Sequence, residues 1–284
     1  MARCLISLTA VILLLSACTS NSYQNIGSDS DVQKTWTASY VSVPGGVSGT
    51  MTDASVQEAL KANARKPIVL FFHGCSGFTN NGGMSKLVTD FARSLNDAGY
   101  IVVAPDSFAR SVRISSCPGG NFSYTAKGVD WDTINRMRME EIYYSISQAE
   151  HASWAGKDIF LFGHSEGGLA VASYTGSDVS AIVVSGWGCP TRTLANRDST
   201  LIERPVKAPP SIPVLNIKAK MDPVDTRPND CGSSVWGRPG GSKVINPPVG
   251  HWVMDNAEYR QEVIAFFDRN RHSDSAEPTK ESNK

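Results

Sequence analysis

The sequence predicts an α/β fold with a mostly parallel central sheet covered by helices on both faces. Three observations carry this expectation. Short runs of Ile, Val, Leu and Phe recur along the chain, helix-length segments with an apolar stripe separate them, and one such run leads through a glycine-flanked turn straight into a helix. With 284 residues, 41% of them hydrophobic and 19% charged, the chain has the content of one large globular domain. Its formal net charge is zero and no long run of Lys or Arg is present, which argues against a nucleic-acid partner and for a small or neutral ligand.

In chain order, the first element is a targeting segment. Arg3 precedes an apolar run from Leu5 to Leu15 that is too short to span a bilayer, and Ser16-Ala17-Cys18 follows. Leu15-Ser16-Ala17-Cys18 resembles the lipobox of bacterial lipoproteins, which implies removal of residues 1–17 and a lipid on Cys18. An ordinary secretory signal with an incidental cysteine is the alternative. Thr19, not Asp, comes next, and by resemblance to Gram-negative sorting rules this points to the outer membrane facing the periplasm. Residues 18–33 are polar and read as a flexible tether, and 272–284 as a disordered tail, leaving 34–271 for the domain.

Six core strands are expected within the domain: Ile68 to Phe72, Tyr100 to Ala104, Ile159 to Phe162, Ala181 to Ser185, Val214 to Ala219 and Lys243 to Asn246, with further strands near Trp36 to Val43. Leu87, Phe91, Ala92 and Leu95 form a helical stripe stopped by Gly99. A second helix runs from about Ile134 to His151. The last helix is expected to open at Asp255 with Glu258 as a capping-box partner, and to bury Tyr259, Val263, Phe266 and Phe267.

The run Ile159 to Phe162 leads into Gly163-His164-Ser165-Glu166-Gly167-Gly168 and then a helix from Leu169. A serine on such a turn projects its hydroxyl above the sheet at a helix N-terminus, where N–H groups favour developing negative charge. Ser165 is therefore the candidate nucleophile. Serine needs a base, and the chain has five histidines. His272 lies in the tail, His151 on a helix, His164 is expected to point away from the attack site, and His73 belongs to a turn after the first strong strand. His251, on the loop after the last strand, remains as the base. The acid should follow the preceding strand. Asp222 stands directly after it, and Asp225 is its competitor; Asp222 is preferred because the sheet holds its backbone.

An oxyanion needs two donors. The amide of Glu166 is one. The other is assigned to the amide of Cys75, in His73-Gly74-Cys75-Ser76-Gly77. With these segments, together with Ala104-Pro105-Asp106-Ser107-Phe108, the chain resembles the α/β-hydrolase superfamily, and most closely its dienelactone-hydrolase-like branch, over most of the domain. One departure is Ser165, where true dienelactone hydrolases carry a cysteine, and this favours a carboxylic ester hydrolase working through an acyl-enzyme. The resemblance implies a small-molecule ester substrate and no metal or organic cofactor, and a monomer is expected. It also narrows the disulfides. Four cysteines besides Cys18 follow the signal, and the neighbouring strands of the superfamily imply Cys75 with Cys117 and Cys189 with Cys231. Residues 191–211 leave room for only a small lid. Trp187 and Trp252 are candidates to line an open cleft, and Arg110 and Arg113 to meet an anionic substrate. The rival readings are a binding module that has lost turnover, and a peptidase or acyltransferase with the same triad.

Overall fold

Side chains that alternate between two buried faces explain both the sheet and its helices. In a computed structural model that describes residues 29–80, 83–114, 116–117, 130–189, 205–224 and 228–272, Ile68, Leu70 and Phe72 of strand β3 (Lys66–Phe72) enter one apolar core while Val69 and Phe71 enter another. The same division runs through β7 (Ala155–His164) and β8 (Ala181–Ser185). Strands buried on both sides must be covered twice, as period-2 side-chain alternation demands.

On the first face lie α2 (Ala54–Ala62), α4 (Trp131–His151) and α5 (Glu166–Ala172), which contribute Val56 and Leu60, Ile142 and Ile146, and Leu169. The second face is covered by α3 (Lys86–Asp97) and α7 (Ala257–Arg269), through Leu87, Phe91, Val263 and Phe267. Together with β1 (Tyr40–Val43), β2 (Val47–Thr50), β6 (Ile101–Ala104), β9 (Val214–Ile217) and β10 (Lys243–Ile245), the strands form an eight-stranded sheet in the order β10-β9-β8-β7-β3-β6-β1-β2. Every pair from β10 to β6 is parallel, and β1 runs antiparallel to both β6 and β2. A small hairpin, β4 (Thr79–Asn80) and β5 (Gly83–Met84), follows β3, and a single turn of helix, α6 (Gly232–Val235), precedes β10.

The fold class is the expected one, and all six core strands are present. The differences lie at the edges. Trp36 sits in a helix, α1 (Asp29–Thr37), and the strand starts only at Tyr40. Val32 and Trp36 are one helical turn apart and both are buried, so the last residues of the segment read as tether, 29–33, are folded. The last helix opens at Ala257, not Asp255. Asp255 belongs to a 3₁₀ turn, Val253–Asp255, and Asn256 at the cap makes no side-chain capping bond, so the expected capping box does not form. His272, read as tail, is tied to the sheet: its backbone N–H and its Nδ1 meet Asp158 Oδ1 at 3.1 and 2.6 Å. The signal segment 1–17, Cys18, residues 19–28, Asp225, residues 191–204 of the candidate lid and the tail beyond 272 lie outside the described residues. Among the described residues, no helix is long and apolar enough to cross a membrane.

Candidate active site

Strand β7 ends at His164 and helix α5 begins at Glu166, so the chain reverses within one residue. That residue, Ser165, has φ 56° and ψ −116°, a left-handed conformation rare for a side chain with a Cβ. The turn is held from the sheet: the Ser165 N–H donates to the Ser185 carbonyl at 2.8 Å, and the Ser165 carbonyl accepts from the Leu169 N–H at 3.0 Å. Glycine is required at 167 because α5 starts against the end of β3. A Cβ there would stand 2.1 Å from the Phe72 carbonyl oxygen.

Asp222 lies beyond the end of β9, and His251 on the loop after β10. Two backbone bonds, from Lys220 N–H to the Pro247 carbonyl at 2.8 Å and from Met221 N–H to the Val249 carbonyl at 3.3 Å, lay the acid's loop against the base's loop. His251 Nδ1 and Asp222 Oδ2 are then 2.7 Å apart, both side chains buried, while Asp222 Oδ1 accepts from the Val224 N–H at 2.8 Å. A carboxylate held on both oxygens fixes the imidazole tautomer with the proton on Nδ1 and leaves Nε2 as the basic atom. His251 also lies beside the elbow, because its ring centroid is 4.8 Å from that of His164, the residue preceding Ser165.

The His-Gly turn after β3 reaches the same place. A Cβ on Gly74 would come within 3.2 Å of the Ser165 Cβ, which brings the Gly74-Cys75 backbone alongside the candidate nucleophile. His73 is locked beneath it: Nε2 accepts from the Ser107 N–H at 3.1 Å, and Nδ1 donates to the Gly74 carbonyl at 2.6 Å. Burial holds the His73 ring well below its ordinary pKa, in keeping with a neutral imidazole that both donates and accepts. Glu166, as the first residue of α5, has a backbone N–H with no acceptor inside the helix. A mostly parallel sheet in this strand order, with a strand, one-residue reversal and helix at its centre and an acid and histidine after its last two strands, leaves one architecture.

The fold is that of the α/β hydrolases.

Solved structures of this fold resemble the chain at low identity. Est1E from Butyrivibrio proteoclasticus is 15% identical, with 81% of this chain and 92% of that one covered and a TM-score of 0.49. XC6422 from Xanthomonas campestris, described as an α/β serine hydrolase without a lid, is 16% identical over 72% of this chain and 83% of that one, with a TM-score of 0.47. A candidate dienelactone hydrolase from Klebsiella pneumoniae is 15% identical over 81% of this chain and 97% of that one, with a TM-score of 0.49. No protein-family model matches the sequence, and no curated protein does.

Around this candidate site several expectations change. Arg110 is not a rim cation. It is 4% exposed, its Nε donates to Glu141 Oε1 at 2.8 Å, and its Nη2 meets Glu140 Oε2 at 3.1 Å and the Met137 carbonyl at 3.0 Å. Arg113 is ion-paired with Glu166 and lies 4.9 Å over the Phe108 ring. With Arg138, which pairs with Glu141 at 2.9 Å, three arginines and three glutamates neutralise one another beneath the elbow. His164 does not point away from the site. Its ring packs on the His251 ring and, 5.2 Å off, on Trp252, with Nδ1 3.3 Å from Ser185 Oγ. Burial first, and the neighbouring His251 second, hold His164 well below its ordinary pKa, so it stays neutral. Trp187 is fully buried and belongs to the core, whereas Trp252 is partly exposed at the edge of the site.

Disulfides join Cys75 to Cys117 and Cys189 to Cys231. Among the described residues, no group of His, Cys, Asp and Glu is arranged to hold a metal ion. Sequence reasoning missed Arg138 and Glu141. One signal was available: Ile134, Arg138, Ile142 and Ile146 share a four-residue spacing, so a charge stood in the buried stripe of α4 and needed a partner inside.

Proposed function

We propose that the chain is a serine hydrolase acting on carboxylic esters. The observation that carries this reading is the buried 2.7 Å contact between Asp222 and His251 beside a strained elbow serine. In the proposed reaction His251 Nε2 takes the Ser165 proton as Oγ attacks the ester carbonyl. The imidazolium is stabilised by Asp222, and the oxyanion by the amides of Glu166 and Cys75. Collapse of the tetrahedral intermediate breaks the bond to the leaving alkoxide, which takes the proton back from His251 and departs as the alcohol. Water then attacks the acyl-enzyme by the same route and releases the acid. Ser165, where true dienelactone hydrolases carry a cysteine, favours a carboxylic ester over the dienelactone of the cysteine enzymes. Cys18 is proposed as the lipidated residue that would anchor the enzyme to a bacterial membrane, and the two disulfides fit an exported protein.

The test is to incubate the soluble domain with p-nitrophenyl esters of short and long acids and with a fluorophosphonate probe. Hydrolysis, with probe labelling abolished in Ser165→Ala, is the expected result. A folded wild-type protein that neither hydrolyses an ester nor takes the probe would favour a binding module instead.

A further inference from the structure

Only the backbone amide of Glu166 enters the reaction above, yet its carboxylate is 1% exposed, and a buried charge persists only where partners compensate it. Two of those partners, Ser116 and Arg138, lead to the other side of the oxyanion hole. Glu166 Oε2 accepts from the Ser116 N–H at 3.2 Å and from the Ser116 hydroxyl at 2.6 Å. Ser116 precedes Cys117, which is bonded to Cys75, and Cys75 carries the second candidate donor. A second route starts at Oε1, which pairs with Arg113 and lies 3.8 Å from Arg138 Nε. Arg138 Nη2 in turn donates to the His73 carbonyl at 2.8 Å, at the root of the Gly74-Cys75 turn. Arg138 is itself braced by Glu141, which also takes the Ser107 hydroxyl at 2.8 Å, and the Ser107 N–H holds His73.

We propose that the Glu166 carboxylate is a positioning group for the oxyanion hole, fastening the start of α5, which supplies one amide donor, to the turn after β3, which supplies the other. This inference rests on the serine-hydrolase reading. Without such a tie the two amides belong to separate elements, a helix start and a loop, and their spacing would follow loop motion. Preorganised donors act only when both sit within hydrogen-bond distance of the developing oxyanion, and a misplacement of about 1 Å costs on the order of 100-fold in rate. Glu166 would therefore act on kcat without touching substrate.

The decisive comparison is between an ester and its thionoester, in which sulfur replaces the carbonyl oxygen. Sulfur accepts hydrogen bonds poorly, so the thionoester draws little help from the two amides. Ser116→Ala cuts one arm, the Cys75→Ser/Cys117→Ser pair cuts its covalent continuation, and Glu166→Gln removes the charge while keeping the shape. The expected result for each is a kcat on the ester about 10- to 100-fold lower with KM within about twofold, and a smaller loss on the thionoester, so that the ester-to-thionoester ratio falls. Equal losses on both substrates in variants that melt at the wild-type temperature would overturn the positioning role, as would unchanged kcat in all three. Should Glu166→Gln fail to fold, Ser116→Ala carries the test. Fluorophosphonate labelling of wild-type Ser165 is run alongside: a wild type that takes no label removes the enzymatic reading itself, while a labelled wild type with an unaltered ratio in the variants removes only this inference.

Discussion

His164 should make the protein acid-labile in a way that can be assigned to one ring. Burial holds its folded pKa well below the ordinary value, the neighbouring His251 adds to this and Asp222 partly opposes it; His73 is shifted in the same direction by burial and by Arg138. The unfolded chain protonates each near pH 6.5. A depressed folded pKa means that its stabilising effect is complete above that pH and is lost as the pH falls, because the unfolded state then binds a proton the folded state refuses. For one ring that stays neutral in the fold down to pH 5.0, the loss between pH 7.5 and 5.0 is about 2 kcal/mol, with a limiting slope of about 1.4 kcal/mol per pH unit. Urea unfolding of wild type and His164→Gln at both pH values measures it. The variant should lose about 2 kcal/mol less than wild type over the interval, whatever its stability at pH 7.5. Equal losses in the two proteins would refute the argument.

Three further outcomes follow from the geometry. Asp222→Asn removes the carboxylate 2.7 Å from His251 Nδ1 and allows the wrong tautomer, so ester kcat should fall by about 10³- to 10⁴-fold with a far-UV spectrum like that of wild type. Gly167→Ala puts a methyl 2.1 Å from the Phe72 carbonyl oxygen in the sheet; overpacking of about 3 kcal/mol should appear as a lower denaturant midpoint, and a wild-type midpoint would contradict the packing of α5 on β3. The Cys189→Ser/Cys231→Ser pair opens a loop of sequence separation 42, for which chain entropy gives a loss of up to about 4 kcal/mol, read as a drop in Tm measured without reductant, so that the Cys75–Cys117 bond stays intact.

The parts of the molecule legible in the sequence were those fixed by local pattern. Strands β3, β7 and β8 declare themselves because burial on both faces forces continuous apolar runs, and the elbow because only glycine fits at 167. What stayed hidden was set by contacts far apart in the chain. Edge strand β2 is only four residues with alternating exposure, too weak a pattern to announce itself. Trp36 reads as strand until its partner across α1, Val32, is seen to be buried with it. Arg110 and Arg113 read as rim cations because nothing in the sequence near them says that Glu140, Glu141 and Glu166 will fold over them. The ring of His164, one residue before Ser165, is turned by the strand toward a histidine 87 positions later, and no periodicity encodes that meeting.

The left-handed backbone at Ser165 has a consequence for the evolution of the chain. Glycine enters φ 56° and ψ −116° freely, whereas a residue with a Cβ is strained there by about 1–3 kcal/mol. Selection for stability alone would replace the hydroxyl-bearing residue at the tip of the turn, so Ser165→Gly should melt at a higher temperature than the wild type. A scaffold that keeps serine at this point is carrying a standing burden at its centre, and the rigid sheet on either side is what allows the burden to persist.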